Sequence, residues 1–144
     1  MLSDVYVLAE RSEHVLAEFR RKHLSGFREA AEEYEFPQYA AEPDFVTEDL
    51  RRVIDVLLQH SDEHYAIYWN NSVDGDVRSA MVFFTNDGRL IFGLSVLAPA
   101  AQRTLAELLA EAGSQVGGVL FETPPPASAE EFIAACRTTE GGSL

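Results

Sequence analysis

A chain of 144 residues suffices for one hydrophobic core, and with 47% apolar residues the expectation is a folded domain that needs no disulfide or metal staple. Its 24 carboxylates face only 11 lysines and arginines, so the formal charge of -13 repels phosphate backbones and anionic membrane surfaces; nucleic acid and membrane are excluded as expected partners, and a basic protein is admitted. Cys136 is the single cysteine, which excludes an intramolecular disulfide, and the opening residues carry neither a basic segment nor a long apolar one, so the expected setting is soluble and cytoplasmic.

In chain order, Val5-Tyr6-Val7-Leu8 is a short β-rich run, and Ser12 is placed to cap a helix carrying Val15, Leu16, Phe19 and His23 at helical spacing. Gly26 interrupts it. Glu29 to Tyr34 reads as a further one or two helical turns, which Pro37 ends by forcing the residues before it out of the helical region. Thr47 is the expected N-cap of the next helix, where Leu50, Val53, Ile54, Leu57 and Leu58 follow an i, i+3, i+4, i+7, i+8 pattern.

From residue 64 onward the period changes to two. Tyr65, Ile67 and Trp69 alternate with Ala66, Tyr68 and Asn70, and three strands are expected at about 64–71, 77–85 and 89–96. Asp74-Gly75-Asp76 supplies the first turn, and Asp87-Gly88 predicts a tight type I′ hairpin for the second. Pro99 opens a helix through Leu105, Leu108 and Leu109, with Gly113 at its C-terminal cap. A strand over Val116 to Phe121 follows. After the stiff Pro124-Pro125-Pro126 connector, Ser128 and Glu131 match a capping box for a last helix through Phe132, Ile133 and Cys136.

The order β-α-α-β-β-β-α-β-α lacks regular βαβ alternation. It predicts an α+β domain in two layers, with a mainly antiparallel sheet, a central three-stranded meander and flanking helices. The domain is expected to span 1–137, with 138–144 as a flexible tail of small polar residues.

His60-Ser61-Asp62-Glu63-His64 matches the H-x-x-E-H zinc-peptidase pattern, in which two imidazoles one helical turn apart hold the metal and the acid activates water. The preceding helix ends near His60, so the two rings do not share a helical face, and the pattern is expected to be a polar turn. A metal-dependent hydrolase using His60, Glu63 and His64 is the alternative function. Gly93-Leu94-Ser95-Val96 lacks the glycine spacing of a nucleophile elbow, and Gly113 to Gly118 fits neither a phosphate loop nor a dinucleotide fingerprint. Cys136 is expected to be packed and inert. Tyr65, Tyr68, Trp69, Phe83, Phe84 and Phe92 are expected in the core, although a small-ligand sensor pocket near Trp69 is a further alternative. No catalytic residue, metal ligand or cofactor is assigned.

The segment from Glu29 to Asp49 is the most distinctive. Glu29, Glu32, Glu33, Glu35, Glu42, Asp44, Glu48 and Asp49 are a third of the chain's 24 carboxylates, with no lysine or arginine among them. Tyr34, Phe36, Tyr39 and Phe45 are interleaved. Aromatic anchors in an acidic field suit the grip of a basic partner, and Pro37 and Pro43 limit the entropy lost on docking. The expected partner-binding residues are Glu32, Glu33, Tyr34, Glu35, Tyr39, Glu42 and Asp44.

The runs Tyr65 to Asn71 and Ala80 to Ser95, with Tyr34 to Tyr39 and Glu122 to Pro126, resemble small bacterial proteins that are similar to the immunity proteins of polymorphic toxin systems. That resemblance implies a non-enzymatic protein that neutralises a toxin domain by binding it. It transfers no binding residue.

Overall fold

The computed structural model describes residues 1–71, 75–121 and 124–142, the last five as backbone alone. The Val5-Tyr6-Val7 run sits inside β1 (Leu2–Glu10), and the Ser12 hydroxyl accepts the Val15 N–H at 3.2 Å to start α1 (Glu13–His23). The chain then departs from the sequence expectation. Instead of a helix over Glu29 to Tyr34 it forms β2 (Phe27–Glu29), β3 (Tyr34–Phe36) and β4 (Phe45–Thr47). Helix propensity over six residues is worth only tenths of a kcal/mol each and does not meet the cost of nucleation. Strand pairing and burial of Tyr34 and Phe36 outweigh it.

Asp49, not Thr47, caps α2 (Leu50–Gln59). Its carboxylate accepts the Arg51 N–H at 3.0 Å, while the Thr47 hydroxyl accepts the Asp49 N–H one step outside the helix. Leu50, Val53, Ile54 and Leu57 form the buried stripe that the spacing predicts. The meander follows as β5 (Tyr65–Asn71), β6 (Val77–Phe84) and β7 (Arg89–Leu97), and Asp74 of the first turn lies outside the described residues.

The second turn differs from expectation. Gly88 has φ of 87°, but neither Asn86 nor Asp87 has positive φ, so the type I′ requirement is not met. The loop is instead the three residues Asn86-Asp87-Gly88, closed by the Thr85 N–H on the Arg89 carbonyl at 2.9 Å. Pro99 lies in a single 3-10 turn (Ala98–Ala100) that leads into α3 (Ala101–Ala112), and Gly113 caps that helix with φ of 62°. The chain closes with β8 (Gly117–Leu120) and α4 (Ala129–Gly142), a helix that runs past the expected boundary at 137.

The fold is α+β. Six strands form one sheet in the order β2-β5-β6-β7-β1-β8 with every neighbouring pair antiparallel, and β3 and β4 form a separate two-stranded sheet. One face of the large sheet carries Val5, Val7, Tyr65, Ile67, Trp69, Val82, Phe84, Phe92 and Leu94. It packs on Leu16 and Phe19 of α1, the stripe of α2, and Ala101 and Leu108 of α3. The opposite face, with Tyr6, Leu8, Met81, Phe83 and Ile91, is covered by Ala129, Phe132 and Cys136 of α4. Burial on both faces explains why these strands carry apolar residues at successive positions.

Candidate functional site

The β3–β4 hairpin carries the acidic segment, and its alternation decides which side chains are offered to a partner. Tyr34 and Phe36 point inward. Phe36 stacks on Phe45 at 5.5 Å between ring centroids and on Tyr65 at 6.5 Å. Glu35 is paired with Val46 on the outward face, where Val46 is half exposed. The connecting loop is closed by the Asp44 N–H on the Phe36 carbonyl at 2.7 Å.

Within that loop Tyr39 is 82% exposed and has φ of 63°, the left-handed region that glycine normally occupies. Its N–H donates to the Glu35 carboxylate at 3.0 Å, which ties the loop back to the strand. Non-glycine residues held in sparsely populated backbone regions cluster at functional sites.

An open groove of about 470 Å³ runs beside the hairpin, and its lining includes Glu33, Tyr34, Glu35, Tyr39, Val46 and Tyr68. Thus Glu33, Tyr34, Glu35 and Tyr39 of the expected set come together along one groove. Glu32, Glu42 and Asp44 are exposed nearby in sequence but do not line it. Among the described residues no lysine or arginine forms an ion pair with any carboxylate from Glu29 to Asp49. The Arg52 guanidinium lies 4.0 Å from the centroid of the Phe45 ring, at the base of the hairpin.

Tyr34 is not the surface anchor that the sequence suggests. Only 5% exposed, it donates its hydroxyl to the Glu29 carboxylate at 2.6 Å. Burial first, then that hydrogen bond and the charge of Glu29, push its pKa well above the ordinary phenol value. Tyr65, whose hydroxyl donates to the Glu35 carbonyl at 2.8 Å, is pushed up to about 12 by burial and by the field of Glu35 and Tyr39. Both phenols stay protonated near neutrality and serve as donors that hold the hairpin down.

Gln38 is the residue that sequence reasoning missed. Its side-chain amide donates to the Ala66 carbonyl at 3.0 Å and accepts the Ala66 N–H at 2.9 Å, reproducing on β5 the bonds of a neighbouring strand. A single polar residue between Pro37 and Tyr39 carries no periodic signal that would reveal this.

The H-x-x-E-H segment does not form a shared helical face. His60 is the C-cap of α2 and its ring lies 6.3 Å from that of Phe36, while His64 immediately precedes β5; burial lowers the His64 pKa. The carbonyls of His60 and Glu63 instead accept hydrogen bonds from Arg11. Among the described residues no group of three or more His, Cys, Asp or Glu is placed to hold a metal.

Trp69 is 3% exposed, with the Arg20 guanidinium 5.9 Å from its ring centroid, and Tyr68 meets Phe83 edge to face in the opposite layer. Ser95 lies within β7, and Cys136 is buried against the sheet. Among the described residues no helix is long and apolar enough to cross a membrane. No protein-family model, curated protein or solved structure matches the chain.

Proposed function

We propose that this chain is a non-enzymatic acidic binding protein acting in the cytoplasm, an immunity-type inhibitor that takes a basic toxin domain on the face carried by residues 29–49. The observation that carries the reading is Tyr39, 82% exposed and pinned by Glu35 among carboxylates that no described cation neutralises. Uncompensated charge of one sign raises the rate of encounter with a basic surface, and burial of one rigid aromatic then supplies short-range affinity. Glu32, Glu33, Glu35, Glu42 and Asp44 provide the field. Tyr39 is the anchor, and the buried Tyr34 fixes the hairpin beneath it.

The test is a calorimetric titration with the basic C-terminal domain of a toxin encoded beside this gene, repeated from 50 to 300 mM salt. Binding is expected to weaken at least tenfold across that range, and to weaken again with the combined Glu32→Lys, Glu33→Lys and Glu42→Lys changes or with Tyr39→Ala. Absence of binding, or binding indifferent to salt and to these changes, refutes the reading.

A further inference from the structure

The edge of β5 is only partly covered. β2 pairs with Trp69, Asn70 and Asn71, and the Ala30 N–H adds one bond to the Tyr68 carbonyl at 2.9 Å before the chain turns away. Next along the edge, the N–H and carbonyl of Ala66 are satisfied by a side chain, the amide of Gln38, where a strand would supply backbone. Both are neutral amide hydrogen bonds, so exchanging them for main-chain bonds of the same kind is close to balanced.

We propose that the stretch of β5 from Ala66 to Tyr68 is a strand-addition site for a short, extended, cationic segment of the partner, and that Gln38 is a displaceable placeholder for it. This rests on the basic-partner reading above and states how that partner docks. The occupant's charge follows from the groove over this edge, whose lining includes Glu33 and Glu35, neither paired with a lysine or arginine among the described residues. Its extended form follows from the backbone spacing of β5, and Tyr39 and Val46 line the same groove as Ala66 and Tyr68, within reach of the side chains of an added strand. A second copy of this chain is disfavoured as occupant because its own charge is -13.

The test uses the full-length chain, labelled with nitrogen-15, and three capped hexapeptides: alternating lysine and valine, the same sequence N-methylated at alternate peptide bonds, and a version with glutamate for lysine. The lysine peptide is expected to shift the Ala66 and Tyr68 amides and the Gln38 side-chain amide and to slow exchange at Ala66. N-methylation should weaken it at least tenfold, the glutamate peptide should not bind, and Gln38→Ala should bind the lysine peptide at least threefold more tightly. Shifts confined to residues 32–44, or equal binding of the N-methylated peptide, overturn strand addition while leaving the basic-partner reading intact. So does a lysine peptide that fails to bind a chain that binds the toxin domain in a salt-dependent manner. The N-methylation comparison needs no variant, so a poorly folded Gln38→Ala leaves the test decisive.

Discussion

The guanidinium of Arg11 donates to the carbonyl of Leu57 at 2.6 Å, across 46 residues of chain, and so satisfies the last turn of α2 from the end of β1. The same group reaches the carbonyls of His60 and Glu63 and, at 2.8 Å, that of Thr85, while lying 5.1 Å from the centroid of the Phe84 ring. One side chain therefore joins β1, the end of α2, the turn before β5 and the end of β6. Burial lowers its pKa, opposed by the charges of Asp62 and Glu63, yet arginine remains charged.

Arg11→Ala leaves several part-buried carbonyls without their donor and is expected to cost about 3 kcal/mol. That corresponds to a fall of roughly 10 °C in Tm for a domain of this size. Arg11→Lys should recover less than half of the loss, because a point ammonium does not match the planar fork. Urea denaturation of the three proteins checks this, and equal stability of all three refutes it.

Asp87 caps a helix 42 residues away: its carboxylate accepts the Ala129 N–H at 2.8 Å and the Glu130 N–H at 3.2 Å, beside the Ser128 hydroxyl on the Glu131 N–H. Partial burial alone raises its pKa, but the hydrogen bonds from Ala129, Thr85 and Glu130 prevail and hold it below the ordinary carboxylate value. Because the folded value is depressed, its stabilisation is complete above the unfolded carboxylate pKa and is lost as pH falls through the folded one. Asp87→Ala should cost about 1 kcal/mol at neutral pH. The gap between wild type and variant should narrow in acid, which paired denaturation curves at pH 7 and pH 3 measure.

Tyr65 has the opposite dependence. Its folded pKa, about 12, lies above the ordinary phenol value, so its contribution is intact below about pH 10 and declines as pH rises from there through the folded value. Tyr65→Phe should be less stable at neutral pH by about 1 kcal/mol, for the lost bond to the Glu35 carbonyl, and should lose stability less steeply in alkali. Parallel slopes in alkali would count against this account.

Gly93 pairs with Tyr6 across β7 and β1, and a Cβ added there would stand 2.8 Å from two carbons of the Tyr6 ring. That ring is fully buried and meets Phe83 edge to face, so it has no free direction in which to move. Gly93→Ala is expected to destabilise by about 2 kcal/mol. Combining it with Tyr6→Val should give a double variant at least 1 kcal/mol more stable than the sum of single effects implies. Strict additivity in a double-mutant cycle refutes the contact.

The meander was legible because its signals are local: alternation from Tyr65 to Trp69, apolar runs around a glycine turn, and caps at Ser12 and Gly113. The region from Phe27 to Thr47 was not, because three-residue strands show no period and are stabilised by what they pair with. The roles of Arg11, Gln38 and Asp87 were hidden for the same reason, since each acts on backbone at least 28 residues away. At the candidate site, sequence reading named Tyr39, which the structure leaves exposed, and the carboxylates of 29–49, with which no described lysine or arginine forms an ion pair. It misplaced Tyr34 because exposure within a hairpin depends on which face turns inward, and that hairpin was not foreseen.

The position of β1 bears on how the molecule is made. Its two neighbours are β7, with Leu2 opposite Leu97, and β8, with Asp4 opposite Leu120. During synthesis the first strand therefore emerges some eighty residues before any backbone it can pair with. Val5-Tyr6-Val7-Leu8 is therefore without strand partners while residues 11–88 are made, and its insertion between the two later strands is a long-loop event of the kind that slows folding.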